Sequence, residues 1–179
     1  MKKSLQRIAA AILFLLVISG CSMQSEEEAI KSAKEAADKV FSSKQEIKTN
    51  YTLDSFSMYL PNGLEVKEAD ASNAILEDGD QTFIVFFNSL ENTLSKISYK
   101  AAAAKKDEAL LLDTFKDKEK FGYIRILPHN EDNKYELQIG VGGVKITTYT
   151  SKGELDNDSE DIMKIAHSIA FQHTNTVQK

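Results

Sequence analysis

The chain has 179 residues, with 22 Lys and Arg against 27 Asp and Glu and a formal net charge of −5 at pH 7. That balance disfavours partners such as nucleic acid or a bare anionic bilayer, both of which repel an acidic protein. The length suits one compact core, and the single cysteine excludes any disulfide within the chain.

The chain opens with MKKSLQR, which carries Lys2, Lys3 and Arg7 and no acid, followed by an unbroken apolar run from Ile8 to Ile18 and the small pair Ser19-Gly20. Charged, then apolar, then small is the order of a secretory signal. As a helix the run reaches only about 16 Å, roughly half of a hydrocarbon core, so a permanent span is the poorer expectation. The four residues Ile18-Ser19-Gly20-Cys21 resemble the lipobox of bacterial lipoprotein precursors. The resemblance implies cleavage of a signal peptide over residues 1–20, a diacylglyceryl thioether on the Cys21 sulfur, and attachment to the extracytoplasmic face of a cell membrane through lipid. A thiol suits this chemistry as the best side-chain nucleophile near neutral pH. On that expectation Lys2, Lys3 and Arg7 are lost with the signal, leaving 19 basic against 27 acidic side chains. Residues 21–25 form a short tether, since Ser22 to Ser25 span at most about 14 Å when extended.

Ser25-x-x-Glu28 is a capping box, and Glu26, Glu27 and Glu28 complement the positive end of a helix dipole. Ala29, Ile30, Ala33, Ala37, Val40 and Phe41 recur at three- and four-residue steps, which predicts an amphipathic helix ending near Ser43 or a turn later. From Tyr51 the period changes to two. Phe56, Met58 and Leu60, the turn Pro61-Asn62-Gly63, and Leu64 and Val66 predict one hairpin. Asn73 to Leu76, the turn Glu77-Asp78-Gly79-Asp80, and Thr82 to Phe87 predict a second. The run Thr82-Phe83-Ile84-Val85-Phe86-Phe87 lacks polar alternation, as expected of a central strand covered on both faces. Leu90, Leu94, Ile97 and Ala101 have helical spacing and the alanine run favours helix, which predicts a short helix around Ser95 to Lys106. Strands follow at Leu110 to Phe115, Phe121 to Leu127, Lys134 to Ile139 and Lys145 to Thr150, as antiparallel neighbours with short loops. A closing helix is expected from Asp158 or Ser159, with Ile162, Ile165, Ala166 and Ile169 on one face. Residues 26–172 thus make a single α+β domain, with a twisted, mainly antiparallel sheet of about six to eight strands. N-terminal, inserted and C-terminal helices cover it, and a polar tail occupies 173–179. The stretches SFSMYLPNGLEV through FIVFFN, and KYELQIG, KITTYT and MKIAHSIAF, look like the PsbP-like α/β/α sandwich of extrinsic photosynthetic proteins. That resemblance implies architecture and no single activity.

No catalytic constellation stands out. Gly140-Val141-Gly142-Gly143 lacks the spacing of a phosphate loop and precedes a strand, so a tight hairpin or bulge is expected. Asp156-Asn157-Asp158-Ser159-Glu160-Asp161 is rich in oxygen ligands, but Asp161 stands where a calcium loop needs glycine and His167 where it needs glutamate; a helix cap is expected instead. Glu77 to Asp80 is a turn before it is a metal site. His167 and His173 lie about 240° apart around a helix and cannot share a metal on one face. His129 sits near Asp132 with no serine elbow to serve. Lys96, Lys100, Lys105 and Lys106 make a locally basic patch, either a solvated face or a dock for an anionic envelope polymer. The sequence therefore predicts a non-catalytic, lipid-anchored protein without cofactor or metal that binds an envelope protein or polymer. The alternative is a small-molecule or ion-binding module serving a transporter or sensor.

Overall fold

Helix α1 (Glu26–Ser42) starts where its capping box lies: the Ser25 Oγ accepts from the Glu28 N–H at 3.1 Å, and the Glu28 carboxylate accepts from the Ser25 N–H at 3.0 Å. Two donors that the first helical turn leaves without partners are thereby satisfied. The structure is a computed structural model that describes residues 24–171. The signal and lipidation expected at residues 1–21, Cys21 included, and the tail from His173 lie outside the described residues.

After α1, β1 (Tyr51–Thr52) and β2 (Ser57–Met58) form a two-stranded sheet. A seven-stranded sheet follows, built from β3 (Glu65–Ala69), β4 (Asn73–Asp78), β5 (Gln81–Phe87), β6 (Leu111–Lys116), β7 (Phe121–Ile126), β8 (Lys134–Val141) and β9 (Val144–Ser151), with spatial order β3-β4-β5-β9-β8-β7-β6. Every pairing is antiparallel. Two meanders, β3 to β5 and β6 to β9, are thus joined edge to edge through β5 and β9. Between them runs the segment carrying the short helix α2 (Ile97–Ala103), and α3 (Leu155–Phe171) closes the domain. The α+β class, the mainly antiparallel sheet and the helices at both ends agree with the sequence reading.

One face of the sheet carries the core. Phe83 and Val85 of β5, Leu137 and Ile139 of β8 and Ile146 of β9 point to this face, where α1 and α3 lie side by side. Ile162, Ile165, Ala166 and Ile169 of α3 meet Ala33, Ala37 and Val40 of α1 there, all buried. Each such large side chain contributes about 1.5–3 kcal/mol through burial.

Four expectations need correction. Residues 56–66 form no hairpin: Met58 pairs back with Tyr51, whereas Glu65 and Val66 pair with Glu77 and Leu76. The turn is present, with the Leu64 N–H on the Pro61 carbonyl, but the Tyr59 N–H donates to Ser168 Oγ at 2.8 Å and draws the preceding strand onto α3. Strand β5 is interior to the sheet yet covered on one face alone, since α2 lies over β7 and leaves Ile84 53% exposed. The closing helix begins at Leu155, because that side chain is fully buried and a 3₁₀ turn over Lys152–Glu154 leads directly into it. The inserted helix is real but shorter than Ser95 to Lys106, with a separate 3₁₀ turn at Lys106–Glu108.

The long direction of the domain has two distinct ends. At one, Tyr135 at the start of β8 donates to the Glu26 carboxylate at 2.8 Å, so the first turn of α1 lies beside the start of β8, the end of β9 and the start of α3. At the other, Phe41 sits against Gly122, which pairs with Val141 at the end of β8. Seventeen residues of α1 separate them, about 25 Å of helix.

Candidate functional site

A cleft of about 1120 Å³ opens at the end reached by Phe41. Its walls are the chain leaving α1 (Ser42 to Thr49), the β6–β7 turn (Lys116 to Lys120) and the last turns of α3, with His167 and Phe171. Five lysines (44, 48, 116, 118 and 120) face three carboxylates (46, 117 and 119) around it, an excess of positive charge in a chain whose net charge is −5.

The turn that carries the central lysine is built by Asp117. Its Oδ1 accepts from the N–H groups of Glu119 and Lys120 at 2.7 and 2.9 Å, and its own N–H donates to the Lys120 carbonyl at 3.1 Å. These bonds hold the Asp117 carboxyl below its ordinary range. The turn directs the Lys120 side chain inward, where it is 7% exposed. Its Nζ donates to His167 Nε2 at 3.0 Å and lies over the rings of Phe41 and Phe171, at 4.7 and 5.7 Å from their centroids. Phe41 reaches this position because Gly122 has no side chain; a Cβ there would stand 2.9 Å from the Phe41 ring.

Lys120 forms no ion pair among the described residues. A buried ammonium is ordinarily matched by a carboxylate. Here aromatic faces and a neutral imidazole stand in, and burial pushes the Lys120 pKa down. Burial and the neighbouring Lys120 charge lower His167 to about 4, so at neutral pH its Nε2 is the acceptor and its Nδ1 carries the proton. The ring stacks on Phe171 at 4.6 Å and 17°. Ser168 Oγ beside it is committed, donating to the Ile165 carbonyl and accepting from Tyr59. The arrangement therefore presents positive charge and ring faces, the chemistry for holding an anion that carries an apolar group.

The other residues marked in the sequence are dispersed. His129 Nδ1 lies 3.2 Å from the Asn130 carbonyl and its ring packs on Tyr135, without a bond to Asp132. Gly142 and Gly143 form the β8–β9 hairpin turn, with Gly142 at φ +55°, as expected. Glu77 and Asp78 pair with Thr82 and Gln81, so the β4–β5 turn is Gly79-Asp80 alone. Asp156 to Asp161 lie within the first turns of α3 rather than in a loop; Gln81 Nε2 donates to Asp158 Oδ2 at 2.7 Å, and burial raises that carboxyl. Among the described residues no group of three or more His, Cys, Asp or Glu is placed to hold a metal. Lys96 covers the Phe121 ring at 5.0 Å and Lys105 approaches Glu108 at 3.8 Å, while Lys100 and Lys106 are exposed on the same segment.

Lys120 and Phe41 were not marked by sequence as site residues. Phe41 reads as the last position of a helical stripe and Lys120 as one lysine of a polar break. The alternation Lys116-Asp117-Lys118-Glu119-Lys120 treats its three lysines alike and does not mark Lys120 as the one that turns inward. Comparison of the chain with protein families, curated proteins and solved structures finds no match.

Proposed function

We propose that this protein is a non-catalytic binding domain held on the extracytoplasmic face of a bacterial membrane by lipid on Cys21, with its cleft turned away from the bilayer toward a partner in the cell envelope. The observation that carries the reading is the direction of α1. Ser25, four residues after Cys21, caps the end of the helix farthest from the cleft. A five-residue tether reaches at most about 17 Å, less than the ~25 Å of helix between its attachment and the cleft, so the cleft cannot turn to face the membrane that holds it.

The tether sets this orientation against the pull of charge: Glu26, Glu27 and Glu28, the Asp80 turn and Asp156 lie at the tethered end, where an anionic membrane surface repels them, and five lysines ring the cleft at the far end. Among the described residues no helix is long and apolar enough to cross a membrane.

Mass spectrometry of the protein extracted from its native membrane tests the address. The reading requires an N-terminus at Cys21 bearing a diacylglyceryl group, and release of a Cys21→Ser variant from the membrane fraction. An unmodified thiol on an intact chain contradicts it.

A further inference from the structure

Among the described residues no carboxylate of the lysine-rich cleft forms an ion pair with Lys120, although Asp117 and Glu119 lie near enough to act on its charge, and this points to what the cleft holds. We infer that it takes an acidic peptide segment of a partner protein, with a carboxylate docked on Lys120 beside His167 and an adjacent apolar side chain against Phe41 and Phe171. This rests on the reading above that the far end faces a partner.

Four observations converge on that occupant. First, Lys120 is 7% exposed, and its ammonium has hydrogen-bonding capacity beyond the single bond to His167. An arriving carboxylate would complete it with a charge-assisted bond. Second, Lys116, Lys118, Lys44 and Lys48 ring the entrance and would draw in more than one negative charge. Third, the volume of about 1120 Å³ exceeds what a single inorganic anion fills. Among the described residues the Glu46 to Thr49 part of the wall belongs to no strand, which leaves it for pairing with an extended peptide, whereas the Ser43 and Gln45 N–H groups are taken by the Val40 carbonyl and Ser43 Oγ. Fourth, apolar side chains are exposed on the loop bonded to the β6–β7 turn. The loop from Asn88 to Lys96 is stitched to the β6–β7 turn by Thr93, whose Oγ1 donates to the Glu119 carbonyl at 2.6 Å and whose carbonyl accepts from the Phe121 N–H at 2.9 Å. That loop leaves Leu90 94% and Leu94 48% exposed. Apolar side chains beside a cationic cleft suit a folded or extended protein partner, and the tether geometry keeps this end from the bilayer.

The test uses the soluble chain from Ser22 onward, which contains all the described residues. Bead-displayed random heptapeptides are selected for binding, and inorganic phosphate is titrated separately while the His167 ring is followed by NMR. The expected result is enrichment of sequences with Asp or Glu next to a large apolar residue. Affinity should fall at least tenfold in Lys120→Met and also in Lys118→Glu, a change on the exposed rim that leaves the interior intact. Thermal melts establish that both variants fold. Binding of an enriched acidic peptide should move the His167 titration to higher pH, because the added carboxylate offsets the Lys120 charge. Enrichment of neutral sequences, no enrichment, or undiminished binding by folded Lys120→Met would overturn the inference. Saturable phosphate binding without peptide enrichment would reassign the cleft to a small anion and overturn it as well. Enrichment that emerges only after deletion of residues 173–179 would assign the cleft to the chain's own C-terminal segment, with the same effect. None of these outcomes alters the mass of the Cys21 terminus, so failure here is distinct from failure of the membrane address.

Discussion

Replacing His167 by Gln should remove much of the protein's sensitivity to mild acid. In the folded chain the imidazole titrates near 4 against an ordinary 6.5, because burial and the Lys120 ammonium oppose a second positive charge. The unfolded chain therefore binds more protons than the folded one between those values, and stability falls as pH falls from 6.5 to 4. At 1.36 kcal/mol per unit the displacement corresponds to roughly 3 kcal/mol, and to about 2 kcal/mol for a half-buried ring partly screened by solvent. The carboxyls held low by their partners, Asp113, Asp117 and Glu160 among them, lose their contribution at still lower pH. Asp158, raised by burial, acts in the opposite sense and gains from protonation. Glutamine at 167 keeps an oxygen acceptor for Lys120 and cannot titrate. Urea unfolding at pH 7, 6, 5 and 4.5 should show wild type losing about 2 kcal/mol more than His167→Gln across the series. Parallel losses in the two proteins would refute the assignment of a half-buried, neutral imidazole beside the Lys120 cation.

Three further changes test the frame that positions the cleft. Ser25→Ala deletes the capping box at the N-terminal end of α1 and should cost about 1 kcal/mol in a thermal or urea melt, with Ser25→Thr nearly neutral. Gly142→Ala places a Cβ 2.6 Å from the Asn92 carbonyl oxygen and 2.7 Å from the Thr93 Cα at φ +55°; steric overlap and backbone strain should together cost roughly 2–3 kcal/mol. Its amide-exchange signature should be loss of protection in the loop that Thr93 anchors. Leu137→Ala empties a fully buried position between the sheet and the helices and should cost 2–5 kcal/mol, read as a lower denaturant midpoint.

The elements legible in the sequence are those whose signal is local. The capping box at Ser25 and Glu28, the Gly79 turn with its flanking strands, and the β6-to-β9 ladder each declare themselves within a dozen residues. What escaped depends on distant partners. The Pro61 turn does look like a hairpin, but whether Ser57–Met58 pairs across it or folds back on Tyr51–Thr52 depends on Ser168, more than a hundred residues away. The apolar run of β5 gives no sign that α2 is too short to cover Ile84. The cleft was illegible for the same reason: it joins the end of the first helix, a turn between two later strands and the end of the last helix. Of its inner group the sequence singled out only His167, and as a failed metal ligand. Its actual neighbour, Lys120, lies 47 residues away.

The proposed orientation of the domain, with its cleft turned away from a bilayer, is the claim on which the rest turns. The lipidated chain can be reconstituted into vesicles whose surface carries an energy-transfer acceptor, with a donor placed by cysteine substitution at Asp80 in one preparation and at Lys118 in another. The account predicts that the Lys118 donor lies farther from the bilayer than the Asp80 donor by a separation on the order of the ~25 Å length of α1. Equal distances, or a Lys118 donor nearer to the lipid, would contradict it.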